Sequence, residues 1–184
     1  MKIVTYGHPA LRSQGRKITK VDNRLRQLAA DMIETMRNAE GIGLAAQQIG
    51  LPLQMFVLEV LQDMDRPSKM WKSGNPVPFD SLMPLVVVNP EIKTDGELHC
   101  AREGCLSFPD IFGKVERPAR VHLRAHDLEG EPIEFLAEGL LARAIQHEFD
   151  HLQGVLFIDR MDPKTRQELA SSIETLMNLN LDFL

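Results

Sequence analysis

Short apolar segments rich in β-branched residues follow one another along this chain, with no helical pattern between most of them. These segments are 54–60, 85–88 (closed by Asn89-Pro90), 121–126 and 133–136, with a weaker candidate at 97–102. The last two strong segments flank residues 127–130, whose sequence Asp-Leu-Glu-Gly is typical of a hairpin turn. Strands that are neighbours in sequence without a helical crossover pair antiparallel. We therefore expect a mostly antiparallel sheet.

Three other segments show the apolar spacing of amphipathic helices. The first begins at Asp22-Asn23, two good N-cap residues, and should end near Gly41. The second runs roughly from Glu138 to Leu152, and the third begins at Asp162-Pro163 with the apolar stripe Leu169, Ile173, Leu176 and Met177. The expected fold class is α+β, with mostly antiparallel strands around a central helix and with an N-terminal and a C-terminal helix.

Composition limits the class of protein. The chain has 184 residues, of which 43% are hydrophobic and 26% charged, as expected for a single globular domain spanning 1–184. A net charge of −5 argues against binding to nucleic acid or to anionic membranes. No apolar run approaches the roughly 20 residues that span a bilayer, and the first residues lack the apolar core of a signal peptide. We expect a cytoplasmic protein.

Residues 61–83 interrupt the strand pattern. Four prolines at 67, 76, 78 and 84, together with Gly74, predict a long irregular surface loop. Such a loop could be a lid or a plain excursion, and Trp71 could anchor it to the body.

The two cysteines exclude a disulfide framework and a Cys₄ zinc site. Cys105 lies between glycine and proline in the segment 103–109, where a bend would let its sulfur point at a neighbour. Cys100 lies in a candidate strand and is expected to be a small buried apolar residue.

The central helix contains the pattern H-E-x-x-H at 147–151. His147 and His151 are four residues apart, so they share one helix face and can bind the same ion. Glu148 is close enough to take a proton from a water molecule at that ion. The expected fold therefore has a metal-binding helix at its centre.

A catalytic metal site usually has three protein ligands and one open position. Cys105 could supply the third ligand from upstream. A zincin-type peptidase would instead take it from downstream, where Glu174 has the most plausible spacing. A cysteine hydrolase with Cys105 as nucleophile and His147 as base, and a purely structural metal site, are further alternatives.

The third unusual stretch is Gly41 to Gly50, with the sequence GIGLAAQQIG. It formally matches a dinucleotide-binding pattern, but it follows a helix and precedes a strand, which is the wrong order for such a site. Its glycines allow another chain to approach closely, and Gln48 offers an uncharged amide donor.

Together these three stretches resemble peptide deformylase, whose pattern combines G-x-G-x-A-A-x-Q, E-G-C-L-S and Q-H-E-x-D-H segments in this order. The similarity extends from about residue 3 to residue 160 and includes Leu11-Arg12 and the segment 154–159. The resemblance implies hydrolysis of the N-formyl group from the initiator methionine of nascent polypeptides, with release of formate. It also implies nascent chains at the ribosome as partners.

The resemblance further implies roles for individual residues. Cys105, His147 and His151 would hold one Fe²⁺ ion, with Zn²⁺, Ni²⁺ or Co²⁺ as possible substitutes. Glu148 would transfer the proton, and the Gln48 amide and the Leu106 backbone N–H would stabilise the oxyanion. The substrate contacts would come from Ile42 and Gly43 on the peptide backbone and from Leu140, Arg143 (through its aliphatic stem) and Ala144 around the methionine side chain.

Other positions concern the surroundings of this site. Glu103 and Arg117 match an ion pair near the cysteine, although a plain surface pair is an alternative. Gln47 replaces a frequent proline. Phe112 occupies a position that in some members is an arginine touching the substrate backbone.

Overall fold

A computed structural model of the chain describes residues 1–62 and 67–181. Its helices are α1 (Asn23–Asn38), α2 (Gly139–Leu152), α3 (Phe157–Arg160), α4 (Pro163–Glu168) and α5 (Ala170–Leu181), with 3-10 helices at Pro9–Arg12, Ala46–Ile49 and Phe79–Leu82. Its strands are β1 (Gly43–Ala45), β2 (Met55–Leu58), β3 (Lys69–Lys72), β4 (Asn75–Val77), β5 (Leu85–Cys105), β6 (Phe108–His126) and β7 (Pro132–Glu138).

The seven described strands form one sheet in the order β1-β2-β5-β6-β7-β3-β4, and every pairing within it is antiparallel. The predicted α+β class with antiparallel strands is therefore confirmed. Helix α2 packs on this sheet, and its buried residues Leu141, Ile145 and Leu152 share one apolar core with Phe56 and Leu123 from the strands.

The strands β5 and β6 are much longer than the sequence predicted, with 21 and 19 residues. The prediction that Asn89-Pro90 closes the strand at 88 is wrong. Asn89 takes a positive φ of 51°, and the register shifts between Val88 and Glu91, so a bulge absorbs the proline and the strand continues to Cys105. The weaker candidate at 97–102 is part of this same strand.

The prediction of an irregular loop at 61–83 is also wrong, although residues 63–66 lie outside the described part. Strands β3 and β4 form a hairpin there, and β3 extends the sheet by pairing with β7, Trp71 lying opposite Leu136. Pro76 is tolerated because β4 is the edge strand, where a missing N–H breaks no ladder. The segment also holds the start of α2, because the Ser68 hydroxyl accepts the Leu141 N–H at 3.0 Å.

The predicted helices are found with small differences. Asp22 caps α1 through hydrogen bonds from the N–H groups of Arg24 and Leu25. The predicted C-terminal helix is divided at Leu169 into α4 and α5, and Met177, assigned to its apolar stripe, is 40% exposed. No helix within the described ranges is long and apolar enough to cross a membrane.

Candidate active site

The end of the long strand β5 meets helix α2 at a cluster of three potential metal ligands. Cys105, His147 and His151 each offer one ligand atom, and these atoms lie within 4.8 Å of one another. The Cys105 Sγ lies 3.3 Å from His151 Nε2. The sheet register brings Cys105 here because it pairs with Phe108 across a tight turn, as the glycine and proline around it suggested.

This donor set fits a divalent transition metal. One thiolate and two imidazoles are ligands that Fe²⁺, Zn²⁺ and Co²⁺ accept, and three protein ligands leave a position for a reactant. Burial lowers the pKa of His151 well below its ordinary value, so its ring is neutral and offers a lone pair. Burial also acts to lower the pKa of His147, but hydrogen bonds to Cys105 and Glu103 raise it well above its ordinary value, so metal binding would release that proton.

Glu148 lies beside the cluster and is buried. Its burial raises the pKa of the carboxyl to about 7. A Cβ added at Gly43 would come within 2.3 Å of Glu148 Oε1, so the carboxylate occupies space that only a glycine leaves free. Among the described residues no group donates a hydrogen bond to its Oε2, which leaves this oxygen available to a reactant.

A buried ionic network surrounds His147. Glu103 accepts hydrogen bonds from Arg117 at 2.7 and 3.0 Å and from Arg143 at 2.6 Å, and it lies 3.1 Å from His147 Nδ1. The expected Glu103–Arg117 pair is therefore present, and it is buried rather than a surface pair. By contacting Nδ1, Glu103 orients the ring so that its other nitrogen faces the cluster.

Sequence reasoning missed two members of this network, Asp150 and Arg160. Asp150 accepts one hydrogen bond from Arg117 at 2.8 Å and two from Arg160 at 2.7 and 3.2 Å, which links the network to the surface. The signal was present, because Asp150 is three residues beyond His147 on a helix and a buried aspartate needs a cationic partner.

Gln48 is oriented by the short 3-10 helix that carries it. Its side-chain oxygen accepts the Ala45 N–H at 2.8 Å, which turns the amide nitrogen toward Cys105 Sγ and Ser107 Oγ, each 3.4 Å away. The amide is thus a fixed donor beside the ligand cluster. Gln47, the departure from the expected proline, is fully buried.

The strand β1 forms one edge of the sheet and of the site. The Ile42 carbonyl accepts the Glu59 N–H at 2.9 Å, so this group faces β2 rather than the cavity. Successive residues of a strand direct their backbone N–H and C=O groups to opposite sides. Because the carbonyl of Ile42 faces β2, the N–H and C=O of Gly43 point away from β2 toward the open edge. The Ile42 carbonyl, which the resemblance assigned to the substrate backbone, is thus already paired, and Ile42 contributes an exposed apolar side chain to the cavity instead.

A cavity of about 950 Å³ joins these parts. It is lined by every residue that the sequence assigned to the site except His151, which is buried behind it: Ile42, Gly43, Gln48, Cys105, Leu106, Leu140, Arg143, Ala144, His147 and Glu148. Phe112 also lines it, with the Arg102 guanidinium 4.2 Å above its ring. Phe112 replaces the arginine that the resemblance implies, but the cavity still contains a charged guanidinium beside this position, that of Arg102.

The structure does not support one alternative from the sequence, and it contradicts one expectation. Glu174 is not part of the ligand cluster and lies instead in a separate cavity with Tyr6 and Met177, so the zincin alternative loses its third ligand. Cys100 is exposed rather than buried, because the middle of β5 from Lys93 to Cys100 projects into solvent.

Comparisons with known proteins agree on one family. A family model described as polypeptide deformylase matches residues 1–167. The peptide deformylase of Opitutus terrae is 47% identical over 182 residues, covering 97% of this chain and 94% of its own length. The crystal structure of a peptide deformylase from Synechococcus elongatus in complex with actinonin aligns with a TM-score of 0.79 at 38% identity, covering 95% of this chain and 85% of that one. The crystal structure of peptide deformylase from Thermotoga maritima aligns with a TM-score of 0.73 at 41% identity, covering 88% of this chain and 97% of that one.

Proposed function

This chain belongs to the polypeptide deformylase family and removes the N-formyl group from nascent polypeptides, and we propose that it does so in the cavity around Cys105, His147 and His151. The observation that carries this assignment is the convergence of three metal-ligand atoms, the buried carboxylate of Glu148 and the amide of Gln48 on one cavity. We further propose that residues 1–184 act as one catalytic domain.

The ligand set supports a metal-dependent hydrolysis. A divalent ion held by Cys105, His147 and His151 supplies a Lewis acid that activates water and polarises the formyl carbonyl. Fe²⁺ is our proposed native ion, with Zn²⁺, Ni²⁺ and Co²⁺ as substitutes, because a thiolate with two imidazoles accepts each of them.

Glu148 is the proposed proton carrier. Its carboxylate accepts the proton of the attacking water through Oε2 and then delivers it to the nitrogen of the departing peptide, which leaves formate as the second product. The Gln48 amide, fixed by Ala45, and the Leu106 backbone N–H donate hydrogen bonds to the oxygen on which negative charge develops.

The open edge of β1 supports binding of an extended substrate. The outward N–H and C=O of Gly43 would pair with the backbone of the peptide, which would add to the sheet as a further strand. Such binding does not depend on the side chains that follow the methionine. Ile42 would cover the bound chain, and Leu140, Ala144 and the aliphatic stem of Arg143 would surround the methionine side chain. Nascent chains emerging from ribosomes in the cytoplasm are the partners that we propose.

The test is release of formate from formyl-Met-Ala by anaerobically prepared protein loaded with Fe²⁺. We expect activity that excess chelator abolishes and that Glu148→Gln lowers by about 10²–10⁴-fold without loss of bound metal. A matched control is Glu116→Gln, which changes an exposed glutamate on β6. Activity that survives in chelator would favour the cysteine hydrolase, and an unchanged rate for Glu148→Gln would refute the proton transfer.

A further inference from the structure

A second cavity of about 560 Å³ lies against the active-site cavity. Both cavities are lined by Ala101, Leu140 and Arg143, so these three side chains separate one space from the other. The second cavity continues between the paired strands β5 and β6 and the start of α2, with Cys100 and Pro118 among its lining residues. The proposed reaction assigns no role to this outer space.

Arg143 is the largest and most firmly held part of the partition. Its side chain is buried, and its guanidinium donates to the Glu103 carboxylate at 2.6 Å, to the Val115 carbonyl at 3.1 Å and to the His99 carbonyl at 2.6 Å. Three acceptors in fixed positions leave this side chain little freedom to swing aside. Of the other two wall residues, Ala101 carries only a methyl group and Leu140 belongs to α2, so Arg143 is the side chain that reaches from α2 across to the carbonyls of β5 and β6 and closes the wall.

The outer cavity is lined by both apolar and charged residues. Pro67, Leu98 and Pro118 contribute apolar surface, whereas Lys69, Glu138 and the buried Arg117 contribute charges. Pro67 and Lys69 belong to the segment that adds the β3–β4 hairpin to the sheet, and the Pro67 carbonyl packs so closely on Gly139 that a Cβ there would lie 2.0 Å from it. This segment therefore forms the outer wall of the second cavity.

We propose that Arg143 is the end wall of the methionine pocket and sets the greatest length of side chain that the enzyme accepts at the first residue of its substrate. The proposal rests on the function proposed above. Removal of the wall would join the two cavities, and the outer one would then accept the end of a longer, unbranched apolar side chain.

The experiment compares formyl-Met-Ala with formyl-2-aminodecanoyl-Ala, whose side chain has eight carbons in a row. The measured quantity is the ratio of kcat/KM for the two peptides, in the wild type, Arg143→Ala and Arg143→Met. Arg143→Met also loses the contact with Glu103 but keeps most of the stem that forms the wall. We expect Arg143→Ala to shift the ratio toward the long substrate by about tenfold or more, and Arg143→Met to shift it much less.

A second variant shows where the long side chain goes. Cys100 lines only the outer cavity, so Cys100→Phe should fill that space in the Arg143→Ala background and reverse the gain while leaving hydrolysis of formyl-Met-Ala unchanged. Equal losses on both substrates in Arg143→Ala, or a gain that Cys100→Phe does not reverse, would overturn the proposal. Wild-type protein inactive on formyl-Met-Ala would instead refute the function itself.

Discussion

Replacing Glu103 by glutamine should damage both the stability of this protein and its affinity for metal. The Glu103 side chain is 5% exposed and is the shared partner of two buried guanidiniums. In the native network two buried carboxylates, Glu103 and Asp150, face the buried guanidiniums of Arg117 and Arg143, and His147 adds a positive charge when no metal is bound. The substitution leaves these positive charges with one carboxylate partner, Asp150, in a place from which water is largely excluded.

Breaking a buried pair by removing one partner costs about 3–5 kcal/mol. For a chain of this length each kcal/mol lowers Tm by about 2–4 °C, so Glu103→Gln should lower Tm by about 10 °C. Loss of the carboxylate that orients a metal-binding histidine typically weakens metal binding about 10–100-fold. The two effects have one cause, the carboxylate that contacts Arg117, Arg143 and His147 Nδ1.

The two effects are measured separately. Urea unfolding in excess chelator gives the free energy of unfolding of the metal-free protein, and competitive titration with Co²⁺ gives the metal affinity. The matched control is Asp95→Asn, which breaks the exposed Arg120–Asp95 pair and should cost less than about 1 kcal/mol. If Glu103→Gln unfolds within 1 kcal/mol of the wild type and binds Co²⁺ equally well, the reasoning about this network is wrong.

Three shorter predictions concern other positions. Cys105→Ala should lose bound metal on elemental analysis, whereas a site that does not use the thiolate would keep it. Gly43→Ala should lower kcat on formyl-Met-Ala by at least about tenfold, because the new Cβ displaces the Glu148 carboxylate; an unchanged kcat would contradict this. Burial favours the protonated form of Asp159, but hydrogen bonds from Arg12 and the Leu156 N–H outweigh it and hold the pKa of this carboxyl below its ordinary value. The Asp159 carboxylate therefore contributes about 1 kcal/mol to the free energy of unfolding at any pH above its unfolded pKa near 4, and this contribution is lost as the pH falls through the lower folded pKa. The difference in the free energy of unfolding between wild type and Asp159→Asn should consequently shrink in acid and not in alkali.

The sequence allowed correct prediction of those parts of the site that depend on local spacing. The positions of His147, Glu148 and His151 follow from the helical period alone, and the bend at Cys105 follows from its glycine and proline neighbours. The local sequence could not show which charged residues, distant from one another in the chain, form ion pairs in the fold. Asp150 and Arg117 are 33 residues apart, and only the docking of β6 on α2 places them at 2.8 Å.

Two of the errors in the fold share a physical cause. Proline was taken to end regular structure, yet Pro90 lies within a bulge and Pro76 lies on an edge strand, two places in a sheet where a missing N–H is tolerated. Cys100 was expected to be buried because it lies in a strand. The middle of that strand, however, extends into solvent. The sequence pattern does not show how far a pair of strands continues beyond the hydrophobic core.

The two edges of the sheet differ in a way that affects how this protein behaves at high concentration. At one edge β4 has three residues, one of which is Pro76, so it offers little backbone for another chain to join. At the other edge β1 presents the free N–H and C=O of Gly43 inside the catalytic groove. At these two terminal strands, strand-to-strand association of the folded protein would therefore use the groove, where a bound peptide would block it. Substrate-like peptides should consequently reduce association through β1 during concentration and storage.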